Sequence, residues 1–163
     1  MQPTDLPLTL STADGASLAI HHWPAAGTAT AQLIICHGMA EHGARYAALA
    51  EPLNANGISV QAMDLRGHGA STPELPRGVL AAGVDWSHLV DDVALLLKRT
   101  RAAHPNQPIV LLGHSMGSYL AQSVLIEHSA LVDVAILSGS HAQPAAASAA
   151  AGLVARIEGL LRG

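Results

Sequence analysis

The stretch Ile109-Val110-Leu111-Leu112-Gly113-His114-Ser115-Met116-Gly117-Ser118-Tyr119-Leu120 decides how the rest of the chain is read. Its first four residues form a short apolar run of the kind found in strands buried on both faces. A G-x-S-x-G pattern follows at once, and apolar residues then recur at helical spacing. The spacing predicts a strand over Ile109–Leu112 and a helix over Met116–Glu127. A serine on so tight a strand-to-helix turn is lifted above the sheet, with the amides of the helix N-terminus aimed at its substrate. Gly113 and Gly117 permit the close backbone approach that the turn needs, where any Cβ would clash.

Outward from this turn the pattern repeats. Gln32–Cys36 is a continuous apolar run ending in His37-Gly38, and Ile58–Met63 is another that runs into Asp64. Between them Tyr46, Leu49, Ala50 and Leu53 mark a helix over Arg45–Ala55, stopped by Asn56-Gly57. Asp85 reads as the N-cap of a long helix, with His88 at the capping-box position and Pro105 beyond its end. Val134–Leu137 is the strand after the serine helix. Strand and helix therefore alternate from residue 32 to 139, the signature of an α/β fold with a mostly parallel sheet and helices on both faces. Ahead of it, Leu6–Thr12 and Ser17–Trp23 flank Asp14-Gly15 as a hairpin. Residues 65–83, with four Gly and two Pro, read as loop. The tail is Ala-rich from Ala142, then carries Leu153, Ile157, Leu160 and Leu161 as an amphipathic helical stripe.

Composition narrows the class. Half of the 163 residues are hydrophobic and only 12% are charged, which excludes a disordered chain. With 31 Ala and no Phe, the core must rely on Leu, Ile, Val and Ala. The formal charge is −4 and no basic cluster stands out, so no footprint for nucleic acid is present. Lys98, Arg99 and Arg101 sit at a predicted helix end, where cations complement the carbonyls. Paired Asp91-Asp92 reads as two solvated carboxylates. One cysteine, Cys36, excludes an internal disulfide and fits a reducing compartment. No signal peptide and no membrane-spanning run are visible, so a cytoplasmic chain is expected.

Two further clusters bear on chemistry. His37-Gly38-Met39-Ala40-Glu41-His42 follows a strand directly. In hydrolases built on a serine turn, an oxyanion hole takes one amide from such a loop and one from the residue after the nucleophile. That assigns the N–H groups of Met39 and Met116. His37 reads as a structural loop histidine; with His42 it makes only a weak metal pair, and no metal is expected. Asp64-Leu65-Arg66-Gly67-His68-Gly69-Ala70-Ser71 could be catalytic or anion-binding. Chain order favours support instead, with Arg66 or His68 bonding to neighbouring loops, because acid and base follow the serine in these enzymes.

Three linked motifs, H-G-x-x-E-H-x-x-R-Y over His37–Tyr46, D-x-R-G-H-G-x-S over Asp64–Ser71 and G-H-S-M-G over Gly113–Gly117, occur in order. Together they make the chain resemble the monoacylglycerol lipase/lysophospholipase group of the α/β-hydrolase fold, grouped with serine aminopeptidase-like hydrolases. The resemblance implies Ser115 as the nucleophile toward a carboxylic ester, Met39 and Met116 as oxyanion donors, and no cofactor. Its implied substrate is a small-molecule ester or a monoacyl lipid. It further implies residues 1–141 as the N-terminal part of the core and 142–163 as the start of a helical lid, truncated.

In that group the catalytic Asp and His lie beyond the lid. After Ser115 this chain offers only Glu127, Asp133 and Glu158 as acids and His128 and His141 as histidines. Glu127 and His128 end the helix that begins at the serine, about twelve residues at ~1.5 Å each away. The expectation is therefore a chain without its general base, self-associating through an open sheet edge and the bare lid helix. The alternative is a non-catalytic shortened chain that binds a ligand or a complementing half-domain.

Overall fold

A computed structural model describes residues 8–141. Six strands form one sheet: β1 (Leu8–Ser11), β2 (Ser17–Trp23), β3 (Ala31–Cys36), β4 (Ile58–Met63), β5 (Ile109–His114) and β6 (Val134–Ser138), in the order β1-β2-β4-β3-β5-β6. The pairs β1/β2 and β2/β4 are antiparallel, and the remaining three are parallel. Three helices, α1 (Ala47–Ala55), α2 (Trp86–Ala103) and α3 (Met116–His128), connect the parallel strands. The Asp14-Gly15 hairpin forms, with Gly15 at φ 85°. Residues 1–7 and the whole of the expected lid segment, 142–163, lie outside the described residues.

Alternation along β3 builds the two faces. Leu33 and Ile35 point to one side with Val60, Ala62 and Ala50 of α1; Ile34 and Cys36 point to the other, where α2 and α3 bring Leu97, Leu120 and Val124. Helices cover both faces, so the central strands read as continuous apolar runs. Burial pushes the Cys36 thiol up to about 12, making it a small apolar core residue. Among the described residues no helix is long and apolar enough to cross a membrane.

Helix α2 starts where the sequence places its cap. Asp85 Oδ1 accepts from Ser87 N–H at 3.0 Å, and His88 Nδ1 accepts from Asp85 N–H at 3.2 Å. Histidine thus serves in the place usually taken by Glu or Gln. At the other end Arg101 does more than face carbonyls, for it donates to Gln107 O at 3.0 Å and pairs with Asp133. Asp133 in turn accepts from Ile109 N–H at 2.7 Å, fixing β6 beside the start of β5.

Several expectations shift. The helix expected from Arg45 opens as a 3₁₀ turn over Gly43–Tyr46 before α1 begins. Strand β5 runs on through Gly113 and His114, because both still pair with β6. Asp92 is not a solvated carboxylate. It is 2% exposed and grips Arg66 with both oxygens, while Asp91 stays in solvent. Strand β6 has a buried-type sequence but is exposed throughout, including Val134, Ile136 and Leu137, since it is the outer strand among the described residues.

Candidate active site

Ser115 sits between the last residue of β5 and the first of α3 with φ 51° and ψ −118°. For a non-glycine residue this is a strained backbone, of the order of 1–3 kcal/mol, held only because its surroundings over-determine it. Its N–H donates to Ser138 O at 2.8 Å, and its C=O accepts from Ser118 N–H at 2.9 Å. Glycine is obligatory on either side. A methyl group at Gly117 would lie 2.1 Å from Cys36 O, and one at Gly113 2.3 Å from Gly117 O. The helix therefore meets the ends of β3 and β5 backbone to backbone.

The loop after β3 comes beside the serine. A methyl group at Gly38 would be 3.3 Å from Ser115 Cβ and 3.1 Å from Glu41 Oε1, so serine and carboxylate flank the same point. Four contacts immobilise this loop. Gly38 N–H donates to Glu41 Oε1 at 2.5 Å, and Tyr46 O–H donates to the same oxygen at 2.9 Å. Gly38 C=O accepts from His37 Nδ1 at 2.8 Å, and Ala40 N–H, at φ 58°, donates to His68 Nε2 at 3.0 Å.

The two histidines bind reciprocally. His37 Nε2 accepts from Leu65 N–H at 3.0 Å in the loop after β4, while His68 of that loop donates from Nδ1 to Arg66 O at 2.9 Å. Each ring has one acceptor and one donor nitrogen engaged, which fixes both as neutral with the proton on Nδ1. The rings meet edge to face at 5.0 Å. With both its nitrogens spent, His37 has none left for a metal.

This clasp orients one peptide group. C=O and N–H point to opposite sides of a trans peptide. With Gly38 C=O turned to His37, the next N–H, that of Met39, faces the other way and has no acceptor among the described residues. Met116 N–H, first in α3, is one of the helix's unpaired donors.

The remaining residues act at longer range. Asp64 collects Gly43 N–H (2.6 Å) and His21 Nε2 (3.0 Å) on one oxygen and Ala70 N–H (2.8 Å) on the other. Burial alone would raise its carboxyl, but these hydrogen bonds outweigh it and hold the carboxyl below its ordinary value. Arg66 pairs with Asp92 at 2.7 and 2.8 Å and with Asp14 of the hairpin. His114 meets Ser138 Oγ at 3.4 Å, and His141 meets the Tyr119 hydroxyl at 3.2 Å. Sequence reading does not single out Glu41; its signal is the H-G-x-x-E spacing, which returns a carboxylate to an N–H three residues back.

Protonation should loosen the clasp. Burial lowers the pKa of His37 in the clasp, and of His22 on β2 outside it, so the folded chain keeps both neutral where the unfolded chain takes up protons near 6.5. Their contribution is complete above that pH and is lost as pH falls below it. Urea midpoints should decline between pH 7.5 and 5; a flat profile would contradict the assignment.

The family described as serine aminopeptidase, S33 matches residues 27–162. The chain belongs to this family. Mouse monoglyceride lipase is 38% identical over 123 residues, covering 76% of this chain and 39% of the relative. Monoacylglycerol lipase of Mycolicibacterium smegmatis is 34% identical over 107 residues, 66% of this chain and 36% of that one. A thermostable carboxyl esterase from Bacillus coagulans superposes with a TM-score of 0.79 at 24% identity, over 96% of this chain and half of the esterase, and so shares the α/β-hydrolase fold. This S33 chain thus spans well under half the length of the curated relatives it matches.

Proposed function

We propose that this S33 chain carries the nucleophile and oxyanion half of a carboxylic ester hydrolase. Ser115 Oγ gives up its proton to the general base as it attacks the ester carbonyl carbon, and the C=O π pair moves onto oxygen. The N–H groups of Met39 and Met116 receive that oxyanion. The protonated base returns its proton to the leaving oxygen, so that the alcohol departs as the adduct collapses to acyl-Ser115, and water then releases the acid by the same route. The strained Ser115 beside a loop whose Met39 N–H has been left without an acceptor carries this reading. His37, Gly38, Asp64, Arg66, His68, Gly113 and Gly117 hold the two loops and the turn. The general base and its acid come from outside the described residues, for within them the Ser115 hydroxyl has no hydrogen-bond partner. Monoacylglycerols are the favoured substrate class, on the likeness to the mouse and mycobacterial lipases. A cytoplasmic setting suits the unpaired Cys36.

A fluorophosphonate probe tests this. The longest product of the reading frame should label, and Ser115→Ala should abolish the label, whereas the 163-residue chain alone should react at least about 10³-fold more slowly. Labelling that survives Ser115→Ala defeats the proposal. A second reading rests on the exposed apolar residues of β6, Val134, Ile136 and Leu137, which suit pairing with a complementing half-domain. On that non-catalytic reading Ser115 should stay unlabelled even when the missing half is supplied, whereas the enzyme half should label once it is.

A further inference from the structure

The two loops that meet at the histidine clasp border a second space, an open cleft. A cavity of about 470 Å³ lies between the end of β2, the turn at His42 and the loop after β4, lined by His21, His42, Asp64, Thr72 and Arg77 with Pro73 and Leu75 as its apolar wall. That volume falls in the range of small-molecule sites.

Its polar groups are one-sided. Arg77 and His42 have no side-chain hydrogen bond or ion pair among the described residues. Thr72 Oγ1 accepts from Gly67 N–H at 2.8 Å, which leaves its own hydroxyl proton to donate inward. The one carboxylate on the wall, Asp64, is already committed, with Gly43 N–H and His21 on Oδ1 and Ala70 N–H on Oδ2. The cavity thus presents a guanidinium, an imidazole and a hydroxyl as uncommitted donors, against a single carboxylate with three of its roughly four acceptor sites filled. A metal or ammonium ion would find one open acceptor site on one carboxylate, too few to hold it, and a guanidinium on the same wall. A carboxylate or phosphate would find a planar fork and two further donors.

We propose that this cavity binds a small organic anion through its carboxylate or phosphate group. Arg77 supplies the fork, His42 and Thr72 complete the hydrogen bonding, and Pro73 and Leu75 pack on the organic part. The assignment does not depend on Ser115, so it can fail while the hydrolase reading stands, and the reverse.

Titration of the 163-residue chain with inorganic phosphate and, separately, with acetate, at fixed ionic strength against sodium chloride, tests it. Backbone amide resonances of Gly43, Ala70 and Thr72 should shift and saturate with at least one of the two anions, and the preferred anion separates phosphate from carboxylate. Arg77→Gln and His42→Gln should each weaken that binding by about tenfold. Arg77 is exposed, so its loss leaves the fold intact, and unchanged shifts at Ile34 and Ile35 verify that. Shifts that never saturate, that chloride reproduces, or that persist in both variants would overturn the proposal.

Discussion

Arg66→Leu should be the most damaging single change on this chain outside the glycines, costing about 3–5 kcal/mol. Arg66 is 8% exposed and Asp92 2%, and they meet through two parallel hydrogen bonds. Removing the guanidinium leaves the Asp92 carboxylate inside the α2 face with no counter-charge. The pair itself is worth far less than this penalty, because both ions paid to leave water. Replacing both at once, Arg66→Leu with Asp92→Leu, should therefore recover most of the loss. Asp14, the other partner, is 43% exposed at the hairpin, so Asp14→Ala should matter little. Urea denaturation of the three variants checks the order. A double variant no better than Arg66→Leu would show that the arginine's packing, and not its charge, is what counts.

Gly117→Ala ranks beside it. The new methyl would meet Cys36 O at 2.1 Å and both Cys36 C and His37 O at 2.6 Å. These are backbone atoms at the end of β3 and in the residue after it and cannot rotate away, so α3 must move. Overpacking typically costs about 1–3 kcal/mol, and a clash with backbone belongs at the top of that range or above it. The same shift would carry Ser115 away from the loop that presents Met39 N–H. Fluorophosphonate labelling of the longest reading-frame product should fall by more than tenfold even in the fraction that stays folded. Labelling at the parent rate in a folded Gly117→Ala protein would mean that the helix accommodates the methyl without moving the serine.

Local rules carry far in this chain. The Asp85 cap, the Asp14-Gly15 hairpin, the alternation that gives a parallel sheet and the glycines around Ser115 each follow from residues a few positions apart. Pairings across the chain were not legible. Asp92 looks like its neighbour Asp91 until Arg66, 26 residues earlier, is known to lie against it. Nothing local tells that His37 and His68 each accept from the other's loop, which fixes their tautomers. The apolar sequence of β6 signals burial, yet a strand is covered only by what packs on it, and that is not written in the strand.

The sheet order has a consequence for how the chain comes together. β2 lies beside β4, not beside β3, and the Arg66 ion pairs tie the hairpin at Asp14 to α2 at Asp92. As the polypeptide leaves the ribosome, the β1–β2 hairpin has no sheet partner until residue 63 has emerged and no anchor until residue 92 has. A lone hairpin is at best marginal in water. The hairpin, though made before β4 and α2, thus settles after them, and the intervening β3–α1–β4 unit, whose parallel pairing needs nothing from the hairpin, is the natural seed.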